Sequence, residues 1–279
     1  MADLKTLEAH RCFGGVQGFY EHASSEIGLP MRFGVFVPPQ PGPRPVLLCL
    51  AGLTCNEQTF AIKAGAQQYA AQHGLILVTP DTSPRGTGVA EADAHWDFGH
   101  GAGFYLDATQ APYATHWRMQ SWLMHELPAV LAAHFAVAAE RTGVCGHSMG
   151  GHGALTLALR HPGRFLSVSA FAPICAPSEV PWGHKAFGGY LGDDRSAWRA
   201  HDAVALIEGG ARLPPLLVDQ GEADNFLAEQ LRPERLEQAC AAAGQALTLR
   251  RHAGYDHGYF FIQSVVADHM AHHAAALTA

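Results

Sequence analysis

The sequence predicts an α/β fold: a mostly parallel sheet with helices on both faces and an antiparallel N-terminal strand pair. Three observations carry this. From about residue 46, short apolar runs alternate with longer segments of helical periodicity, as parallel strands joined by helical crossovers do. The first 40 residues differ, holding two short runs, "GFYEHAS" and "MRFGVFVP", that read as an antiparallel pair flanking the sheet. Finally, "GVCGHSMGGHGAL" (143–155) crowds Gly146, Gly150, Gly151 and Gly153 around Ser148, where an apolar strand gives way to a helix.

Along the chain, "PVLLCLAG" (45–52) is a buried strand and "TFAIKAGAQQYAAQHG" (59–74) a helix ended by glycine. "LILVTP" (75–80) is the next strand. A long loop follows from Asp81 to Tyr113, rich in glycine and aromatic residues; loops of that length in a compact domain are usually functional. Helical spacing resumes over 116–135, with a bend or break expected at Pro128. "RTGVCG" (141–146) is a strand, and 149–163 a helix closed by Pro162 and Gly163. Strands at 165–173 and 214–221, a helix over about 226–243, a strand at 246–251 and a terminal helix from near Tyr259 complete the set. No repeat or linker interrupts residues 1–279, so one domain is expected.

Composition narrows the function. Hydrophobic residues make up 48% and charged ones 15%, enough apolar side chains for a large core. The net charge of −7, without a Lys/Arg run, argues against nucleic acid as a partner. No signal-peptide pattern or run of 18 apolar residues appears, so no membrane association is expected. The six cysteines form no C-x-x-C pair and read as reduced, pointing to the cytoplasm. Among 18 histidines, His269, His272 and His273 fall on neighbouring helix positions. A zinc site needs a further ligand from another element, and none is identifiable, so the reading is a solvated helix with no metal.

Ser148 lies in Gly146-His147-Ser148-Met149-Gly150, a G-x-S-x-G motif. Its strand-to-helix turn is so tight that neighbours must be small, and the serine projects at the carboxyl edge of the sheet. A serine hydroxyl needs a base and an orienting carboxylate to become a nucleophile, here in the chain order Ser, acid, His. "LLVDQGEADNF" supplies Asp224, with Asp219 as rival; Asp224 is favoured because the loop beyond the turn can reach a histidine. "HAGYDHGYFF" offers His252 and His257, of which His257 lies deeper in the loop and is chosen. The backbone N–H groups of Leu53 and Met149 are the expected oxyanion donors.

These residues together resemble the S-formylglutathione hydrolase (esterase D) family. The matching stretches run almost end to end: "AGLTCNEQTF", "WDFGHGAGFYLDA", "GHSMGGHGAL", "PWGHKAFGGYLG", "DQGEADNFL" and "GYDHGYFF". The resemblance implies an α/β-hydrolase fold and a cofactor-free cytoplasmic serine hydrolase, often dimeric, that splits S-formylglutathione into formate and glutathione. Carried over by motif, its triad is Ser148, Asp224 and His257, with Leu53 and Met149 as backbone donors. Cys55, Trp182 and His100 are candidate pocket residues. Cys55 is either a small filler beside the oxyanion loop or an oxidisable thiol, and Trp182 either a cap or a packing anchor. His100 stands where the family more often has a small polar residue, and Ala223 where a second acid is frequent. The rival readings are a general carboxylesterase, an acyltransferase of related fold, and a non-catalytic binding protein.

Overall fold

The computed structural model describes residues 4–278. Its nine strands are β1 Leu4–Cys12, β2 Gly15–Ala23, β3 Pro30–Val37, β4 Arg44–Leu50, β5 Ile76–Pro80, β6 Val137–His147, β7 Ser167–Phe171, β8 Leu216–Gly221 and β9 Leu247–His252. They form one sheet in the order β1-β2-β3-β5-β4-β6-β7-β8-β9. β1, β2, β3 and β5 pair antiparallel, and every pairing from β5 across to β9 is parallel. The expected antiparallel pair is β2 with β3, and β1 adds a further antiparallel strand at the edge. β1 left no apolar alternation in the sequence because it is an edge strand with no fully buried residue.

The helices are α1 Glu57–Lys63, α2 Ala66–His73, α3 Met119–Ser121, α4 Leu127–His134, α5 Met149–Arg160, α6 Pro181–Leu191, α7 Arg195–Arg199, α8 Ala203–Glu208, α9 Pro233–Ala243 and α10 Tyr259–Leu277. They cover both faces of the sheet. The helix expected over 59–74 is two, because Gly65 turns left-handed between α1 and α2 at φ 68°. The bend at Pro128 takes the form of a wide helical turn over Trp122–Glu126, which leaves the proline in the first turn of α4. There its missing N–H breaks no hydrogen bond. α6, α7 and α8 lie in a stretch for which periodicity predicts no element.

Strand β7 shows how the sheet face under α10 is built. Ser167, Ser169 and Phe171 alternate onto that face. Phe171 stacks on His269 at 3.8 Å, and Ser169 meets both His269 and His273 at 2.8 Å. His273 continues to Ser167 at 2.7 Å, and His269 reaches Asp219 of β8 at 3.0 Å. α10 is therefore not the solvated helix expected from sequence: His269 and His273 are fully buried, and the half-buried His272 reaches the Val168 carbonyl. The Asp219 carboxylate only accepts, so it sets the direction of the chain. His269 donates to it through Nε2, Ser169 donates to His269, His273 donates to Ser169, and Ser167 donates to His273.

Burial holds several histidines neutral. His147, His152, His201, His269 and His273 are all pushed below the ordinary value, His152 to about 4 and His201, with Arg160 beside it, to about 3. The unfolded chain takes up protons at these residues below about pH 6.5 while the folded chain does not. Stability therefore falls as pH drops from 6.5 toward the folded values, with His152 alone contributing a loss on the order of 2 kcal/mol at pH 5. The urea midpoint is expected to be clearly lower at pH 5 than at pH 7.5; an equal midpoint would show that these rings ionise inside the fold.

Candidate active site

The Ser148 turn is set by backbone crowding. β4 and β6 run in register with Leu50 beside Gly146, so the chain leaving β4 passes directly against the turn. A Cβ on Gly146 would lie 2.0 Å from the Gly150 carbonyl oxygen, and one on Gly150 only 2.1 Å from that of Leu50. Neither backbone can yield, so both positions require glycine. Ser148 itself sits at φ 58° and ψ −118°, a conformation costly for any residue with a side chain. The strain is held by hydrogen bonds from Ser148 N to the Phe171 carbonyl and from His152 N and Ile174 N to the Ser148 carbonyl.

β8 ends at Gly221, and the loop beyond it carries Asp224. Its Oδ2 lies 2.6 Å from His257 Nδ1. Phe226 N donates to Oδ1 at 2.8 Å and Gln220 Nε2 to Oδ2 at 3.2 Å, so this buried carboxylate is fully partnered. The two loops are tied together by Ala223 N donating to the Tyr255 carbonyl and Glu222 N to that of His252. With Nδ1 facing a carboxylate, the ring carries its hydrogen there and leaves Nε2 bare. Among the described residues Nε2 has no protein partner. Ser148 and His257 line the same cavity, of about 210 Å³, without a hydrogen bond between them; such contacts often tighten only when substrate binds.

The rival acid and base sit elsewhere. Asp219 is wholly buried on the α10 face, where Arg250 grips it bidentately and His252 and His269 donate to it. These contacts hold its pKa well below the usual carboxylate range despite burial.

Leu53 lines the cavity and Met149 opens α5, whose first N–H groups have no intrahelical acceptor. Among the described residues neither the Leu53 nor the Met149 N–H has a protein acceptor, leaving two free donors near Ser148. The loop bearing Leu53 is buttressed from the long 81–118 segment. Tyr105 Oη donates to the Ala51 carbonyl at 2.7 Å, and Thr54 N donates to the Gly101 carbonyl at 2.9 Å. Sequence reasoning missed Tyr105, as it missed Phe226 and Trp96, both on the cavity wall. A tryptophan within a long glycine-rich loop was the available signal for Trp96.

Cys55 lines the cavity, and burial raises its thiol above the ordinary value, so it is protonated at neutral pH. Trp182, from α6, forms a wall. His100 lies outside the cavity lining. Its ring stacks on Trp117 at 5.7 Å, with Nδ1 at Asp93 and Nε2 at Thr87, and these partners turn it away. His147 is buried beside His257, ring centroids 4.5 Å apart.

Comparison with known proteins agrees with this architecture. The Esterase family model matches residues 24–273. S-formylglutathione hydrolase of Mus musculus is 49% identical over 281 residues, 99% of each chain. The structure of an S-formylglutathione hydrolase from Agrobacterium tumefaciens superposes with a TM-score of 0.96 at 46% identity, covering 98% of this chain and 99% of that one. A fluorophosphonate-binding serine hydrolase of Staphylococcus aureus, at 18% identity and TM-score 0.71 over 93% of this chain and 98% of its own, shares the fold. Extended, high-identity similarity of this kind makes the chain a member of the esterase family and, within it, of the S-formylglutathione hydrolases.

Proposed function

We propose that this enzyme hydrolyses S-formylglutathione to formate and glutathione, with Ser148 as nucleophile, His257 as general base and acid, and Asp224 orienting the ring. The observation that carries the reading is the 2.6 Å Asp224–His257 contact at the wall of the cavity that holds Ser148 on its strained turn. His257 Nε2 takes the Ser148 proton as Oγ attacks the formyl carbon. The carbonyl oxygen becomes an anion held by the Leu53 and Met149 N–H groups. The C–S bond then breaks, and the departing sulfur takes the proton from His257. A thiol with an ordinary pKa of about 8.5 leaves with far less acid assistance than an alkoxide. Water next gives a proton to Nε2 as its oxygen bonds to the formyl carbon. The C–Oγ bond then breaks, Oγ recovers the proton from Nε2, and formic acid leaves and loses its proton to solvent as formate.

The reading places the enzyme in the cytoplasm, downstream of a glutathione-dependent oxidation of formaldehyde. All six cysteines are free thiols, as a reducing compartment would keep them, and no described helix is long and apolar enough to cross a membrane. Steady-state kinetics test the substrate. S-formylglutathione is expected to show a kcat/KM at least about tenfold above that of S-acetylglutathione, a gap of about 1.4 kcal/mol. Equal turnover of the two would favour a general short-acyl esterase.

A further inference from the structure

We propose that Trp96 sets the enzyme's preference for the thiol half of its substrate, by offering the groups beyond the sulfur a flat apolar surface. This rests on the S-formylglutathione reading above. The cavity of about 210 Å³ is smaller than the roughly 300–1,000 Å³ of sites that enclose a drug-sized ligand. It accommodates the formyl group, the sulfur and the carbons next to it, so the remainder of a tripeptide lies across the mouth. Among the described residues, Trp96 is the one large apolar side chain that both lines this cavity and stands exposed, at 58%.

The indole ends a continuous aromatic wall. Phe226 meets His257 edge-on at 5.1 Å, Trp182 rests on Phe226 at 4.8 Å, and Trp96 meets Trp182 edge-to-face at 5.8 Å. The wall thus runs from the general base to the rim, and Trp96 is its uncovered end. Its backbone is held in place from α6. The neighbouring Asp97 is ion-paired with Lys185, Phe98 stacks on Tyr190 at 4.6 Å, and a backbone bridge between His95 and Phe98 closes the turn that carries Trp96. A platform held this way is ordered before substrate arrives, so little entropy is lost on binding. A tenfold preference, about 1.4 kcal/mol, needs only about 56 Å² of apolar cover at 25 cal/mol per Å². That is well under the area a tryptophan can bury.

The test compares two thioesters with one acyl group: S-formylglutathione and S-formyl-2-mercaptoethanol, which lacks the peptide arm. In wild type the ratio of their kcat/KM values is expected to favour glutathione. Trp96→Ala is expected to lower that ratio about tenfold, chiefly through KM, and Trp96→Phe to restore most of it. A wild-type preference that survives Trp96→Ala within twofold, whatever the absolute loss, overturns the role of Trp96 and leaves the S-formylglutathione reading standing. Wild-type enzyme that turns over neither thioester removes both, and equal wild-type turnover of the two overturns thiol-side recognition.

Discussion

Replacing Ser148 by alanine is expected to lower thioester hydrolysis by about 10⁴-fold or more while leaving the protein folded. The size follows from the division of labour: without the hydroxyl no acyl-enzyme forms, and only binding and the two free N–H donors remain to help water. The fold should persist because the serine hydroxyl anchors nothing; the turn is held by its own main-chain hydrogen bonds to β7 and the start of α5. Ser148→Gly sharpens the test. At φ 58° a side chain is a liability that glycine removes, so this variant should be equally inactive yet more stable by about 1 kcal/mol. Urea unfolding and labelling by a fluorophosphonate probe check both halves. A serine-free variant that keeps substantial turnover would sink the covalent mechanism.

The second large effect separates the two aspartates of β8 and its loop. Asp224→Asn should lower kcat by about 10³–10⁴-fold, because an amide cannot stabilise the imidazolium and allows His257 the wrong tautomer. Its stability should change little, since an amide oxygen can still accept from Phe226 N. Asp219→Asn should do the reverse. It unpairs the bidentate Arg250 contact and the His269 and His252 donors at a fully buried position, at a cost of about 3 kcal/mol. Arg250 is one-third exposed and keeps Asp268, which holds the cost at that level. Its kcat should stay within about fivefold. Measuring kcat and urea midpoint for both variants decides the matter, and exchanged outcomes would make Asp219 the catalytic acid.

Much of this was legible in the residues. The alternation of apolar runs and helical segments reports the parallel sheet directly, because each buried strand must be apolar and each crossover amphipathic. The crowded glycines around Ser148 are equally readable, since a Cβ at Gly146 or Gly150 would fall about 2 Å from a backbone carbonyl oxygen, which only glycine avoids. Asp224 and His257 were preferred over their neighbours on loop reach alone, and the structure brings that pair to 2.6 Å. β1 was missed for the opposite reason: an exposed edge strand is under no pressure to alternate.

What the chain by itself determined, then, is the order of elements and the local turn that presents a serine, because burial and backbone sterics act on neighbouring residues. Only the tertiary structure decided which histidines are solvated and which are sealed with Asp219 beneath α10. Only it turned His100 away from the cavity and brought Trp96 to its rim. Those outcomes depend on contacts between segments tens to hundreds of residues apart, and no local pattern encodes which distant side chain will arrive to meet a given one.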